Sequence, residues 1–316
     1  VDDLRYRNVS FLSDYGRTDE FVGVVHAVIH QLCPGVRVVD VTHDVPPFDV
    51  RAGGLTLARS VQYLPPGVVV AVVDPGVGTA RRRIAVEVGD GASVLVGPDN
   101  GLLAPAVAMV GGATRAVALT DTSHHLDAPG PLFDGRDVFA PVAARLCAGV
   151  PLEDLGEPVD PAGLVPGLMP VARPEPDGSI AAEALWVDRF GNVQLNLGPD
   201  DLPGGEEHLE LRLGDRRFSA RRAVTFADVG AGALGLVVDS YGMLAVVADR
   251  SSAAEELGVA AGDEVVVAAV EGEGPPVAVT TTVRLRGSAT GADAPTATGA
   301  DAPTATGGDA PTGPED

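Results

Sequence analysis

With 316 residues, 45% of them apolar, the chain has enough material for two domains with sizeable cores. Its 44 acidic residues against 22 basic ones give a formal charge of −22. That excludes the basic stripe a nucleic-acid binder uses to displace counterions, and it suits a cationic ligand. No apolar run reaches membrane-spanning length, and the opening "VDDLRYRNVSFLSDYG" has neither the charged nor the apolar region of a signal peptide. Cys33 and Cys147 lack the spacing of a disulfide framework or a metal site, so both read as small buried hydrophobes in a reducing cytoplasm.

In chain order, "VSFLSDYG" reads as a strand ending in a polar turn, and "EFVGVVHAVIHQLCPG" has helical spacing stopped by Pro-Gly. "VRVVDVTHDVPP" is a second strand, and "VRAGGLTLARSVQYLPPG" is a helix ended by Pro-Pro-Gly. "VVVAVVDPGVG" is a wholly apolar strand, as in a sheet covered on both faces. "RRIAVEVGD" and "SVLVGPDNGLL" are short strands, and "DVFAPVAARLCAGV" is a helix. This alternation predicts an α/β domain over residues 1–160, a layered sheet with helices on both faces. Residues 161–178, rich in Pro and Gly, read as a linker. Residues 179–285 carry short alternating strands with Gly/Asp turns, which predicts a smaller all-β barrel or sandwich. Residues 286–316 hold an eight-residue repeat, "ATGADAPT", without large apolar side chains, and are expected to be a disordered low-complexity tail.

Ligands of open α/β sheets sit at the carboxyl ends of strands, where this chain places Asp14, Asp44, Asp49 and Asp74. Each alone is an ordinary Asx-turn residue; as a group on one sheet they can hold sugar hydroxyls or a cation. "DPGVGTARRR" is neither a Walker loop nor G-x-G-x-x-G, and no G-x-S-x-G elbow anchors a hydrolase triad. His26 and His30 are i, i+4 on one helix, but no acid or Cys at ligand spacing accompanies them, so no metal site is expected. His43 falls in a turn, and His124 and His125 in a loop. "GPLFDGRDVFAP" packs Asp134, Arg136 and Asp137 just before a helix, and Arg136–Asp137 reads as an ion pair or helix-start charge.

The segments "FLSDYGRTDEFVG", "VTHDVPPFDV", "VVDPGVGTARRRIAVE", "GPDNGLL", "FDGRDVFAPVAA" and "DRFGNVQLNL", in this order over about residues 8–270, resemble the S-adenosyl-L-methionine (SAM) hydroxide adenosyltransferases, relatives of the SAM-dependent chlorinases and fluorinase. The resemblance implies hydrolysis of SAM to adenosine and L-methionine without a cofactor. It also implies a homotrimer with sites between the α/β domain of one subunit and the β domain of its neighbour. Asp14 corresponds to the residue holding the ribose hydroxyls, and Phe48 to an aromatic beside the nucleoside. Phe133 is expected to line the nucleoside pocket, with Gly135 letting the backbone approach the ligand. Asp188 and Asn192 correspond to contacts with the methionine amine and the adenine, and Ser240 and Tyr241 to the methionine-carboxylate region. Arg250 falls where backbone groups read the adenine edge.

The family's hydrolytic centre resembles an Asp–Arg–His set. Asp74 matches the Asp and Arg81 the Arg, but the His of "FHGRD" is here Asp134 in "FDGRD". Three readings follow. Asp134 and Asp74 form an acidic pair that still activates water; or the chain binds SAM or adenosine with weak or no turnover; or His124 or His125 folds in as the base. Halogenation is a further alternative, disfavoured because Asp74 and Asp134 would repel an incoming halide.

Overall fold

A computed structural model describes residues 4–202 and 207–270. The expected tail, 286–316, lies outside the described residues. The first half runs β1 (Asn8–Ser13), α1 (Phe21–Leu32), β2 (Arg37–Thr42), α2 (Val50–Val61), β3 (Val68–Val72), β4 (Arg83–Val88), β5 (Ser93–Pro98), α3 (Ala104–Met109), β6 (Ala113–Ala118), α4 (Ala140–Cys147) and β7 (Glu157–Val159). They form one sheet in the order β2-β1-β3-β5-β4-β6-β7. Strands β2, β1, β3 and β5 are mutually parallel, and β4 runs antiparallel to both of its neighbours.

The period of two along a strand divides the core between the two faces. Phe11, Val68, Val70 and Val72 pack with Val25 and Ile29 of α1 and with Val142 and Leu146 of α4. Leu12, Val69 and Ala71 pack on the other face with Leu57 of α2 and Ala106 of α3. The apolar strand "VVVAV" is buried throughout because helices cover both sides of it. Asp49 caps α2 by accepting the Ala52 N–H at 2.8 Å. At Gly53 a Cβ would lie 2.8 Å from Leu102, so glycine lets α2 approach the Leu102 segment closely. The elements α3 and β6 have no counterpart in the sequence reading.

The second half runs β8 (Arg173–Pro174), β9 (Ile180–Val187), β10 (Val193–Leu195), β11 (His208–Leu213), β12 (Arg216–Arg222), α5 (Phe226–Val229), β13 (Leu234–Val238), β14 (Leu244–Ala248), α6 (Ala253–Leu257) and β15 (Glu264–Ala269). Strand β9 pairs with both β15 and β10, so β9-β10-β14-β13-β12-β11-β15 closes into a barrel. Among the described residues, closure leaves the short β8 at an edge. Leu195, Leu209, Leu211, Val246 and Val265 fill the barrel core. Helix α2 ties it to the sheet: Arg51 pairs with Glu183, and the Arg59 guanidinium stacks 4.9 Å from the Trp186 ring centre.

Candidate active site

Strands β1 and β3 are neighbours and parallel, so their carboxyl ends bring Asp14 and Asp74 to one edge of the sheet. They line a cavity of about 400 Å³ together with Tyr15, Phe48, Phe133 and Asp134, within the size range of small-ligand sites. Tyr15, Phe21 and Phe133 form its aromatic wall, with ring centres 5.2–5.7 Å apart in edge-on and tilted contacts. Asp14 accepts the Phe48 N–H at 2.9 Å. That bond holds Phe48 at φ 67°, a left-handed conformation rare for an aromatic residue, with its side chain exposed. Burial pushes the Asp14 carboxyl above its ordinary range, against the pull of the Phe48 N–H.

The floor is an ion cluster. The Arg81 Nε donates to Asp74 Oδ1 at 2.7 Å, and its Nη2 donates to both Asp74 and Asp134. Arg83 Nε donates to the same Asp134 oxygen at 2.8 Å. Asp134 is only 4% exposed, so two guanidinium groups compensate one buried carboxylate. Burial alone would lower the Arg81 pKa; its bonds to Asp74 and Asp134 raise it by more. Arg81 therefore stands between the two carboxylates. The three form an Asp–Arg–Asp bridge.

Asp134 opens a single π-helical turn, Gly135–Phe139, that runs into α4. Such turns concentrate at functional sites. Gly135 lines the cavity, but the space of its missing Cβ belongs to the protein: a Cβ there would lie 2.2 Å from the Tyr15 hydroxyl. Glycine is thus set by Tyr15 rather than by ligand approach alone. Arg136 and Asp137 do pair, at 2.6 Å.

The barrel residues gather elsewhere. Asp188 Oδ1 accepts the N–H groups of Phe190 and Asn192, both at 2.9 Å, and its Oδ2 accepts from Asn192 Nδ2 at 2.8 Å. Asp239 shapes the β13–β14 hairpin the same way, accepting from Tyr241 N at 2.8 Å and Met243 N at 3.0 Å. These two Asx-type turns present Asn192, Ser240 and Tyr241 to a second cavity, about 470 Å³, whose far wall is Thr56 and Arg59 of α2. Arg250, at φ 57° and with an exposed side chain, borders a shallower cleft with Asp188 and Asn192. Within one chain the first and second cavities share no lining residue.

A family model described as the SAM hydroxide adenosyltransferase N-terminal domain matches residues 9–156, and its C-terminal counterpart matches residues 182–266. The chain belongs to the SAM hydroxide adenosyltransferase family. It is 51% identical over 261 residues to a Salinispora tropica protein named (R)-S-adenosyl-L-methionine hydrolase, covering 83% of this chain and 97% of that one. A Thermus thermophilus protein of the same name is 42% identical over 265 residues, 81% of this chain and 97% of that one. A protein named fluorinase from Actinopolyspora mzabensis is 29% identical over 275 residues, 78% of this chain and 92% of that one. An uncharacterized conserved protein of Thermotoga maritima superimposes with a TM-score of 0.76 at 33% identity, covering 82% of this chain and 99% of that one.

In this SAM hydroxide adenosyltransferase chain, Asp14, Phe48, Asp74, Phe133, Asp134 and Gly135 line one cavity, and Arg81 joins Asp74 to Asp134. Asp188, Asn192, Ser240 and Tyr241 line the other. His125 lies near Asp134 but outside the lining of the first cavity; burial, then the Arg83 charge, depresses its pKa. Sequence reasoning missed Tyr15, Arg83 and Arg59. Arg83 was findable: strand alternation puts Arg81 and Arg83 on one side, while Arg82 turns away to Asp99 at 2.7 Å. It also missed that His26 meets Asp40 and His43 from the neighbouring strand and turn, rather than standing without an acid. No helix among the described residues is long and apolar enough to cross a membrane.

Proposed function

We propose that the chain hydrolyses SAM to adenosine and L-methionine, with Asp74, Arg81 and Asp134 as the hydrolytic set. The observation that carries the reading is the Asp74–Arg81–Asp134 bridge at the floor of an aromatic-walled cavity that also holds Asp14. The substrate is a sulfonium cation. The oxygen of water attacks C5′, the C5′–S bond breaks, and its electron pair stays on sulfur, so methionine leaves as a neutral thioether and needs no general acid. Asp14 holds the ribose hydroxyls, and Phe48 and Phe133 flank the nucleoside. Asp74 accepts a hydrogen bond from the water and receives its proton, which passes on to solvent. Arg81, braced by Asp134, fixes where Asp74 points. Alignment of this kind is worth about 7–11 kcal/mol at best. Asp134 here replaces the family histidine as a brace, not as a second base. No cofactor enters any step.

The barrel supplies the other end of the substrate. Asn192 and Asp188 contact the adenine and the methionine amine, Ser240 and Tyr241 receive the methionine carboxylate, and the Arg250 backbone reads the adenine edge. On the family resemblance, a complete site forms where the α/β cavity of one subunit meets the barrel of another in a homotrimer, and two cavities that share no lining residue within one chain fit that reading. Two free, buried cysteines fit action in a reducing cytoplasm.

Hydrolysis in ¹⁸O-labelled water tests the chemistry. The expected products are L-methionine and an equal amount of adenosine carrying one ¹⁸O at its 5′-hydroxyl. Binding without product, or 5′-chloro-5′-deoxyadenosine accumulating with chloride, would replace this reading with a nucleoside-binding or halogenating one.

A further inference from the structure

A second constellation lies outside both cavities. His26 projects from α1, Asp40 from β2, and His43 from the turn after β2. His26 Nε2 lies 2.8 Å from Asp40 Oδ1, and His43 Nε2 lies 3.0 Å from the same oxygen. One ligand atom from each of the three residues falls within 4.8 Å of the others. The His26 and Asp40 side chains are 27% and 34% exposed, so ions from solvent reach them.

His43 is the informative member. Its side chain is 1% exposed, with the ring centre 4.6 Å from that of Phe11. Its Nδ1 is engaged with Ser13 Oγ at 2.7 Å, and that hydroxyl also accepts the Tyr15 N–H. Its Nε2, despite the short distance to Asp40, is misaligned and has no hydrogen-bond partner. A buried ring nitrogen left unsatisfied is destabilising. In the tautomer that carries its proton on Nδ1 and donates it to Ser13 Oγ, Nε2 turns a bare lone pair towards the Asp40 carboxylate oxygen. A cation between the two removes both the repulsion and the unmet valence.

We propose that His26, Asp40 and His43 form a binding site for a divalent transition-metal ion of the zinc class. The ligands are the two Nε2 atoms and one Asp40 oxygen, with water completing a four-coordinate shell. Imidazole nitrogens select zinc, copper or nickel over calcium and magnesium, which take oxygen ligands. Ligand bonds near 2.0–2.1 Å in a tetrahedron set ligand atoms about 3.3 Å apart, so the observed contacts open by only a few tenths of an ångström. The Ser13 hydroxyl is the outer partner that fixes the tautomer and orientation of a ligating histidine.

The position gives the ion a mechanical effect. Ser13 precedes Asp14, and the His43 carbonyl accepts the Gly16 N–H at 2.8 Å. A metal here clips α1 and β2 to the two loops that carry Asp14 and Phe48, outside the hydrolytic set itself.

The test is calorimetric titration of zinc into the full-length, EDTA-treated chain. Wild type is expected to bind one equivalent, with a rise in Tm. His26→Ala and Asp40→Asn are each expected to weaken binding at least tenfold. His30→Ala, whose ring sits 6.5 Å from His26 on the same helix, is expected to bind as wild type does. His26 and Asp40 are partly exposed, so these variants avoid the folding risk of replacing His43. Wild type taking up no zinc, or either His26→Ala or Asp40→Asn losing less than tenfold, overturns the site.

Discussion

Asp14 is a carboxylate held in two tasks at once. It pins the Phe48 backbone in a left-handed conformation and faces the cavity from a half-buried position. Burial raises its pKa in the folded chain. A group with a raised folded pKa adds stability below its ordinary pKa, and that contribution is lost as pH rises through the folded value. At neutral pH the ionised Asp14 therefore works against folding. Asp14→Asn keeps an oxygen to accept the Phe48 N–H and removes the charge. It is expected to raise Tm above the acid range, with the gain fading as pH falls to the ordinary carboxylate pKa, while SAM binding weakens. Thermal melts across pH check this; a Tm difference that grows towards low pH would contradict it. Asp134 is the complementary case, a carboxylate with two cationic partners. Removing one member of such a buried set costs about 3–5 kcal/mol, because the charges left behind lose their compensation.

Among the elements, α2 does the most to connect the two halves. Its inner face carries Leu57 into the sheet core, and Arg59 reaches the barrel, stacking 4.9 Å from Trp186 and 5.7 Å from Tyr241. Burial lowers the Arg59 pKa, so the stacking has a desolvation cost to offset. Two such contacts contribute about 1–2 kcal/mol together. Arg59→Ala is expected to lower stability by about that amount in urea titration; an unchanged midpoint would remove α2 as the tie. The sequence made the long elements readable through their periodicity: α1, α2 and the wholly apolar β3 stand where it placed them. It left α3 and β6 unread because "APAVAM" is one and a half turns of small residues, too short for a 3.6-residue period to emerge. Asp14 and Asp74 were legible because strand ends are where α/β sheets bind ligands. Tyr15 and the Asp40–His43 contact were not, because they depend on which strands become neighbours.

On the scale of the whole molecule, the arrangement of cavities matters more than either cavity. The α/β cavity holds the ion bridge, the barrel cavity holds the two Asx-turned hairpins, and in one chain their linings do not meet. The proposed sharing of the site between subunits has a distinctive consequence. Asp74→Ala and Asn192→Ala, each weakly active alone, are expected to recover activity when unfolded together and refolded as mixed oligomers. Some mixed interfaces then pair an intact α/β cavity with an intact barrel. No recovery, with light scattering giving the mass of one chain, would place the whole site within a single subunit.

Asp134, which on the family resemblance stands in a histidine's place, is proposed to support hydrolysis by bracing Arg81 against Asp74. Adenosine release from SAM by wild type and by Asp134→Ala, both checked for folding by circular dichroism, tests it directly. Turnover is expected in wild type, with a loss of at least about tenfold in the variant, equivalent to about 1.4 kcal/mol of transition-state stabilisation. An Asp134→Ala enzyme that releases adenosine at the wild-type rate would contradict it.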